Sequence, residues 1–107
     1  QFKNGKSLTI NGDGNQKRDF TYVGDVVRAN ILASTSKKVG NGDVLNIGSG
    51  ENVTINTIAN LISSKTIHVD PVNEPHANLA NISKAKDLLD WKPSVKVEDW
   101  LKDLKIN

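Results

Sequence analysis

Residues 8–29 read Leu8-Thr9-Ile10-Asn11-Gly12-Asp13-Gly14-Asn15-Gln16-Lys17-Arg18-Asp19-Phe20-Thr21-Tyr22-Val23-Gly24-Asp25-Val26-Val27-Arg28-Ala29, and their hydrophobic period changes along the way. Lys6 to Ile10 is short, β-branched and alternating, which predicts a strand, and Asn11 to Asn15 is a dense run of turn formers. Asp19 to Val23 predicts a second short strand. Beyond it the apolar residues Val23, Val26, Val27 and Ile31 recur at helical spacing, with Asp25 near the start, where a carboxylate complements the helix dipole. A helix from Gly24 to Thr35 follows. Strand, tight loop, strand and helix in so short a span place the chain in the α/β class.

Outward from this stretch the same alternation continues. Lys37 to Asp43 is polar and glycine-containing, hence a surface loop, and the apolar run Val44 to Ile47 ahead of Gly48-Ser49-Gly50 predicts a buried strand. Thr54 is placed to cap a helix carrying Ile55, Ile58, Ala59 and Ile62. Thr66 to Asp70 alternates as a strand until Pro71, and Pro71 to Asn78 has no period and reads as a loop. Ser83 is placed to cap a helix with Ala85, Leu88 and Leu89, which Trp91-Lys92-Pro93 ends, because the residue before a proline avoids helical angles. A last amphipathic helix carries Val97, Trp100, Leu101 and Leu104. The predicted order is β-β-α-β-α-β-α-α, one domain over residues 1–107. Strands so few and short leave exposed edges and a thin core, so the first helix and the Val44–Ile47 strand are expected to lie against structure outside this chain.

Composition narrows the function classes. The 107 residues are 36% hydrophobic and 24% charged, with 14 Lys+Arg against 12 Asp+Glu, enough for one small domain. No apolar stretch approaches the roughly 20 residues of a membrane span, and no charged leader precedes an apolar block, so no membrane partner is expected. Cysteine is absent. That excludes a disulfide framework and thiolate metal sites and fits a cytoplasmic setting. The pI of about 8.9 comes from dispersed lysines. The aromatics Phe2, Phe20, Tyr22, Trp91 and Trp100 do not interleave with basic residues, so nucleic acid is not an expected partner either. The chain opens on Gln1-Phe2-Lys3 and contains no methionine, and it is expected to be a piece of a longer protein.

Few residues suggest chemistry by themselves. Gly48-Ser49-Gly50 stands between a predicted strand and helix, where backbone amides could approach a phosphate. Val53 occupies the position of the third glycine of a dinucleotide fingerprint, and a purely structural turn is the plainer reading. His68 and His76 lie on a strand and in a loop without metal-ligand spacing, and the pairs Asp87/Asp90 and Asp99/Asp103 sit beside lysines on polar faces. No metal ligand set and no catalytic residue is assigned. Arg18 is the most pointed residue. Just after a glycine-rich loop, its planar fork suits an anion, and a salt bridge to Asp19 or Asp25 is the competing role.

Three blocks bear a family resemblance. The stretch quoted first resembles the GDG-x-x-x-RDF-x-x-V-x-D block of NAD-dependent nucleotide-sugar epimerases and dehydratases, the extended short-chain dehydrogenases/reductases. Leu45-Asn46-Ile47-Gly48-Ser49-Gly50 resembles their YN-I-G-x-G strand and turn. Ile82-Ser83-Lys84-Ala85-Lys86 with Leu88-Leu89-Asp90-Trp91-Lys92-Pro93 resembles their closing D-x-S-K-A-x-x-x-LG-W-x-P block. The resemblance implies the C-terminal substrate-binding portion of an extended Rossmann-type enzyme, without the Rossmann core. It implies that NAD is bound by a missing N-terminal domain and that this piece is inactive alone. Within the family the pattern is most like a UDP-glucose 4-epimerase, which inverts C4 of a UDP-sugar through a 4-keto intermediate and is expected to be a homodimer. A dTDP-glucose 4,6-dehydratase-like enzyme acting on a dTDP-sugar is the alternative, and a non-catalytic nucleotide-sugar binding or association module is another. By the same resemblance Arg18 contacts the nucleotide diphosphate, Asn46 lies by the same phosphates, and Thr9, Ile10 and Asn11 line the base pocket. No cofactor-binding residue is carried over, since the Tyr-x-x-x-Lys pair and its glycine loop have no counterpart in this chain. The chain departs from the pattern at Pro71-Val72-Asn73-Glu74-Pro75, which lacks a second phosphate-binding arginine, at Asn81, where aspartate is usual, and at Asp90, where glycine is usual.

Overall fold

The computed structural model of the chain describes residues 1–103. After a 3-10 turn at Phe2–Asn4 come β1 (Leu8–Asn11), β2 (Lys17–Arg18), α1 (Val23–Thr35), β3 (Val53–Thr54), α2 (Ile55–Ile62), β4 (Thr66–Val69), α3 (Ser83–Leu89) and α4 (Val97–Asp103). The mixed α/β class with short strands and four helices is as expected. Leu104, assigned to the last helix from its spacing, lies outside the described residues.

β1 and β4 pair in parallel, from Leu8 opposite Thr66 to Asn11 opposite Val69. Parallel neighbours need a crossover rather than a hairpin. α2 lies in that crossover and packs on β1. β2 runs antiparallel to β3, with Arg18 opposite Val53. On its other edge a bridge between Lys17 and Ala77 brings in the proline-rich loop, with Lys17 N–H donating to the His76 carbonyl at 2.8 Å.

The predicted element order holds while two of its strands move. Asp19 to Val23 is not a strand, and pairing stops at Arg18. Val44 to Ile47 is not a strand either, with Val44 77% exposed. An apolar run becomes a strand only beside a partner edge, and among the described residues none lies next to it. The third strand is instead the two-residue β3. The helix boundaries shift less. Thr54 Oγ1 accepts the Thr57 N–H at 3.0 Å, so it caps α2 as expected. Ser83 does not cap α3. Its N–H and hydroxyl both donate to Asn81 Oδ1, at 3.1 and 2.7 Å. α3 ends at Leu89, ahead of Pro93, because Asp90 turns into the left-handed region at φ 50.

The core gathers Ala29, Ile82, Ala85, Leu89 and Trp91, with Leu45, Ile47 and Ala80 packed against it. Alanines on α1 and α3 let the two helices approach closely. The Trp91 indole N–H donates to the Asp25 carbonyl at 3.0 Å. The Asp25 side chain, 2% exposed, accepts from Ser94 N–H (2.8 Å), Ser94 Oγ (2.6 Å), Val95 N–H (3.3 Å) and Arg28 Nη2 (2.8 Å). This network ties the start of α1 to the chain after α3. The opposite face of α1 is bare, with Val23, Val27 and Ile31 exposed at four-residue spacing. The radius of gyration is 16.7 Å, with extents of 49 × 33 × 17 Å. A self-contained domain of this length has a radius of about 13 Å, so the chain is a thin slab.

Candidate functional site

The site begins with the turn that delivers β2. Asp13 Oδ1 accepts the Asn15 N–H at 2.9 Å, and Asn56 Nδ2 donates to the Asp13 carbonyl at 2.9 Å. Gly14 at φ 74 lies so close to Asn56 that a Cβ would stand 2.0 Å from its Oδ1, so only glycine fits. The chain leaves this turn fixed and enters β2, which ends on Arg18.

Arg18, with its side chain 20% exposed, lines a cavity of about 510 Å³ with Phe20, Ser49, Gly50, Lys86 and Lys92 among its walls. Its Nη2 donates to Glu74 Oε2, and its Nη1 donates to the Lys17 carbonyl at 2.8 Å. The other Glu74 oxygen accepts from Gln16 Nε2 at 3.1 Å, and the same amide donates to the Asn11 carbonyl at 2.9 Å. Two of the five guanidinium N–H groups are thus engaged by protein acceptors. Neither anticipated salt-bridge partner binds Arg18. Glu74 does, Asp19 has another task, and Asp25 pairs with Arg28.

Asp19 holds the cavity wall. Its Oδ1 accepts the Ser49 N–H at 2.7 Å, while Oδ2 accepts the Gly50 N–H at 3.3 Å and the Ala80 N–H at 3.2 Å. Burial pushes the Asp19 carboxyl up, but hydrogen bonds from Ser49, Ala80 and Gly50 outweigh it and leave the group below the usual carboxylate range. Gly48 makes the approach possible, since a Cβ there would stand 2.7 Å from Asp19 Oδ2 and 2.4 Å from the Ala80 Cβ. The Gly48–Gly50 turn does take an anion, and that anion is the chain's own carboxylate. With these amides occupied, the turn does not fit the pyrophosphate of a dinucleotide.

The other expected residues are distributed unequally. Asn11 lines a second cavity of about 470 Å³ with Gln16, Glu74 and His76, so Glu74 connects it to Arg18. Ile10 is 3% exposed and buries its side chain. Thr9 is exposed and engaged by Gln1, whose Nε2 donates to Thr9 Oγ1 at 2.9 Å and whose Oε1 accepts the Thr9 N–H at 3.1 Å. Asn46 is exposed and lines neither of the two cavities described. His68 Nδ1 donates to the Gly12 carbonyl at 2.7 Å, and among the described residues no cluster of His, Asp or Glu forms a metal site. Sequence reasoning missed Gln16, Asp19 and Glu74. Glu74 carried no local signal, because it stands 56 positions from the arginine it meets.

The family model described as the NAD dependent epimerase/dehydratase family matches residues 1–48. Among curated proteins, the chain is 39% identical over 103 residues to an uncharacterized UDP-glucose epimerase, YtcB, of Bacillus subtilis, covering 90% of this chain and 32% of that protein. It is 37% identical over 105 residues to a UDP-glucuronate 4-epimerase of Thermodesulfobacterium geofontis, covering 91% and 32%. Among solved structures, a UDP-glucose 4-epimerase of Thermotoga maritima with UDP-glucose superposes with a TM-score of 0.83 at 34% identity, over 94% of this chain and 34% of that one. A UDP-glucuronic acid 4-epimerase of Bacillus cereus, in complex with UDP-glucuronic acid and NAD, gives 0.85 at 38% identity, over 94% and 35%. The chain spans about a third of the length of the proteins it matches.

Proposed function

We propose, for a chain that belongs to the NAD-dependent epimerase/dehydratase family and matches the C-terminal part of its UDP-sugar enzymes, that it forms the nucleotide-sugar-binding portion of a UDP-sugar 4-epimerase. Arg18 is the anchor for the nucleotide diphosphate. The observation that carries this is its place at the wall of the 510 Å³ cavity with donors to spare, aimed by Glu74 rather than used up by it. A bidentate guanidinium neutralises a diphosphate well, and fixing that remote group orients the sugar for chemistry elsewhere.

Within this reading Asn11 flanks the nucleoside through the second cavity. Thr9 and Ile10 contribute through backbone, as edges of β1. Asn46 has the weakest support, since it lines neither cavity. Binding of NAD and the redox step are assigned to residues outside this chain, in keeping with the Asp19 carboxylate filling the Gly48–Gly50 turn. The bare stripe Val23, Val27 and Ile31 supports a role as part of a larger body. The isolated chain is accordingly inactive.

Decarboxylation is the second reading, favoured by relatives named UDP-N-acetyl-alpha-D-glucosaminuronate decarboxylase in Bacillus cytotoxicus and UDP-glucuronic acid decarboxylase 1 in Arabidopsis thaliana, at 36% and 32% identity. Both readings use the same diphosphate anchor. In the intact enzyme, Arg18→Ala is expected to raise KM for the nucleotide sugar about 10- to 100-fold, the loss of a charged hydrogen-bond donor. Steady-state kinetics with UDP-glucose and UDP-glucuronic acid checks this and separates the reactions. Unchanged KM would remove Arg18 from the site.

A further inference from the structure

The sequence holds three Asn-Gly pairs, at residues 4–5, 11–12 and 41–42. In such a pair the glycine nitrogen can attack the asparagine side chain, since no Cβ crowds its approach. The attack needs that nitrogen deprotonated and mobile. A hydrogen bond from its N–H to a fixed carbonyl opposes both, so a bonded pair must first open locally. The three pairs therefore differ through their backbone surroundings and not through their sequence.

Two of the pairs are held. Gly12 N–H donates to the Val69 carbonyl at 2.9 Å, continuing the β1–β4 ladder. Flanking that bond, the Asn11 carbonyl accepts from Gln16 Nε2 at 2.9 Å and the Gly12 carbonyl from His68 Nδ1 at 2.7 Å. Gly5 N–H donates to the Phe2 carbonyl at 2.9 Å within a single 3-10 turn, which opens more readily than a paired strand. The third pair is open. Residues 40–44 are all exposed, and a Cβ at Gly42 would meet nothing within 4 Å. Asp43 N–H donates to the Gly40 carbonyl at 3.0 Å and Gly40 N–H to Asp43 Oδ2 at 3.2 Å, while among the described residues no acceptor takes the Gly42 N–H. Asn41 itself stands in the left-handed region at φ 52, a conformation held at some cost.

We propose that Asn41 is a site of spontaneous deamidation, the Asn-Gly pair that the fold leaves reactive while it shields those at Asn4 and Asn11. The Gly42 nitrogen gives its proton to solvent and bonds to Asn41 Cγ, the Cγ–Nδ2 bond breaks, and ammonia leaves with a proton returned from solvent. Water then opens the resulting succinimide at either carbonyl, giving aspartate or isoaspartate. Each event adds one negative charge to a loop whose Asp43 Oδ1 already pairs with Lys84 Nζ at 3.6 Å. The isoaspartate product also adds a methylene to the main chain just ahead of Leu45 and Ile47, which pack on the core.

The test is incubation of the full 107-residue chain in mildly alkaline buffer, with and without urea, followed by proteolytic mapping and mass spectrometry of each Asn-Gly pair. Without urea, conversion to a product one dalton heavier is expected first at Asn41, at a rate about tenfold or more above that at Asn11, with Asn4 between them. In urea the three rates are expected to converge, which ties the ranking to the fold. Amide hydrogen exchange on the same chain reads the cause separately, and is expected to rank Gly42 fastest, Gly5 next and Gly12 slowest. Conversion at Asn4 or Asn11 as fast as at Asn41 without urea overturns the proposal. So does an Asn41 that stays intact in buffer and converts only in urea. A Gly42 amide that exchanges as slowly as Gly12 overturns it as well, because the difference in backbone bonding would then be absent in solution.

Discussion

Asp90 ends α3 in a conformation that L residues adopt at a cost, at φ 50. Glycine has no Cβ to crowd that conformation, which gives a physical reason for the glycine usual at this point of the resembling block. Asp90→Gly is therefore expected to stabilise the chain by about 0.5–1 kcal/mol, part of the relief being offset by the added freedom of glycine in the unfolded state. Urea denaturation of the two forms measures it, and a less stable variant would contradict the account. Residue-scale legibility was uneven for a related reason. The Thr54 cap could be read because its partner Thr57 is three positions away. The roles of Asp19 and Glu74 could not, because their partners are brought in by folding over 30 to 61 positions.

At the scale of elements, α1 is fastened to the α3–α4 connection by the buried Asp25 carboxylate. Burial pushes that carboxyl up, but hydrogen bonds from Ser94, Arg28 and Val95 prevail and hold it at about 2. An unfolded aspartate titrates near 3.9, so the folded pKa is the lower one. The stability from this network is present above about pH 4 and is lost as pH falls from there towards 2. It amounts to about 2.5 kcal/mol at neutral pH. Asp25→Asn is expected to remove most of that acid-limb slope, seen in denaturant midpoints between pH 2 and pH 7, with the lowered Asp19 leaving a smaller slope of the same sign. An unchanged slope would argue against Asp25 as the source. The helices of this assembly were legible from period, since α1 starts one residue before the expected Gly24 and ends at the expected Thr35, and α2 carries the expected Ile55, Ile58, Ala59 and Ile62. The strands were not. Val44 to Ile47 has strand composition without an adjacent edge, whereas Val53 and Thr54 pair only because Lys17 and Arg18 are delivered beside them.

For the whole molecule, a 17 Å depth allows little more than one layer of elements, and the outer side of α1 stays apolar and wet. Substituting Val27→Ser and Ile31→Ser together is expected to change the stability of the chain by no more than about 0.5 kcal/mol, because both residues are more than half exposed. The same double variant is expected to reduce binding of a hydrophobic fluorescent dye, which tests whether this stripe is the chain's exposed apolar patch. A large loss of stability would show instead that the stripe is packed in solution. That the chain would have a thin core was readable from its short strands, while the position of the bare face needed the structure.

The Asp19 clamp also ties the shape of the cavity wall to chain completion. Its three amide donors come from residues 49, 50 and 80, so the pocket wall closes only when most of the polypeptide has come together. Closure of that wall therefore needs segments far apart in the chain to have folded together. A product truncated before Ala80 lacks the last donor and, if the cavity serves a nucleotide sugar as proposed, would leave the nucleotide ungripped rather than loosely held.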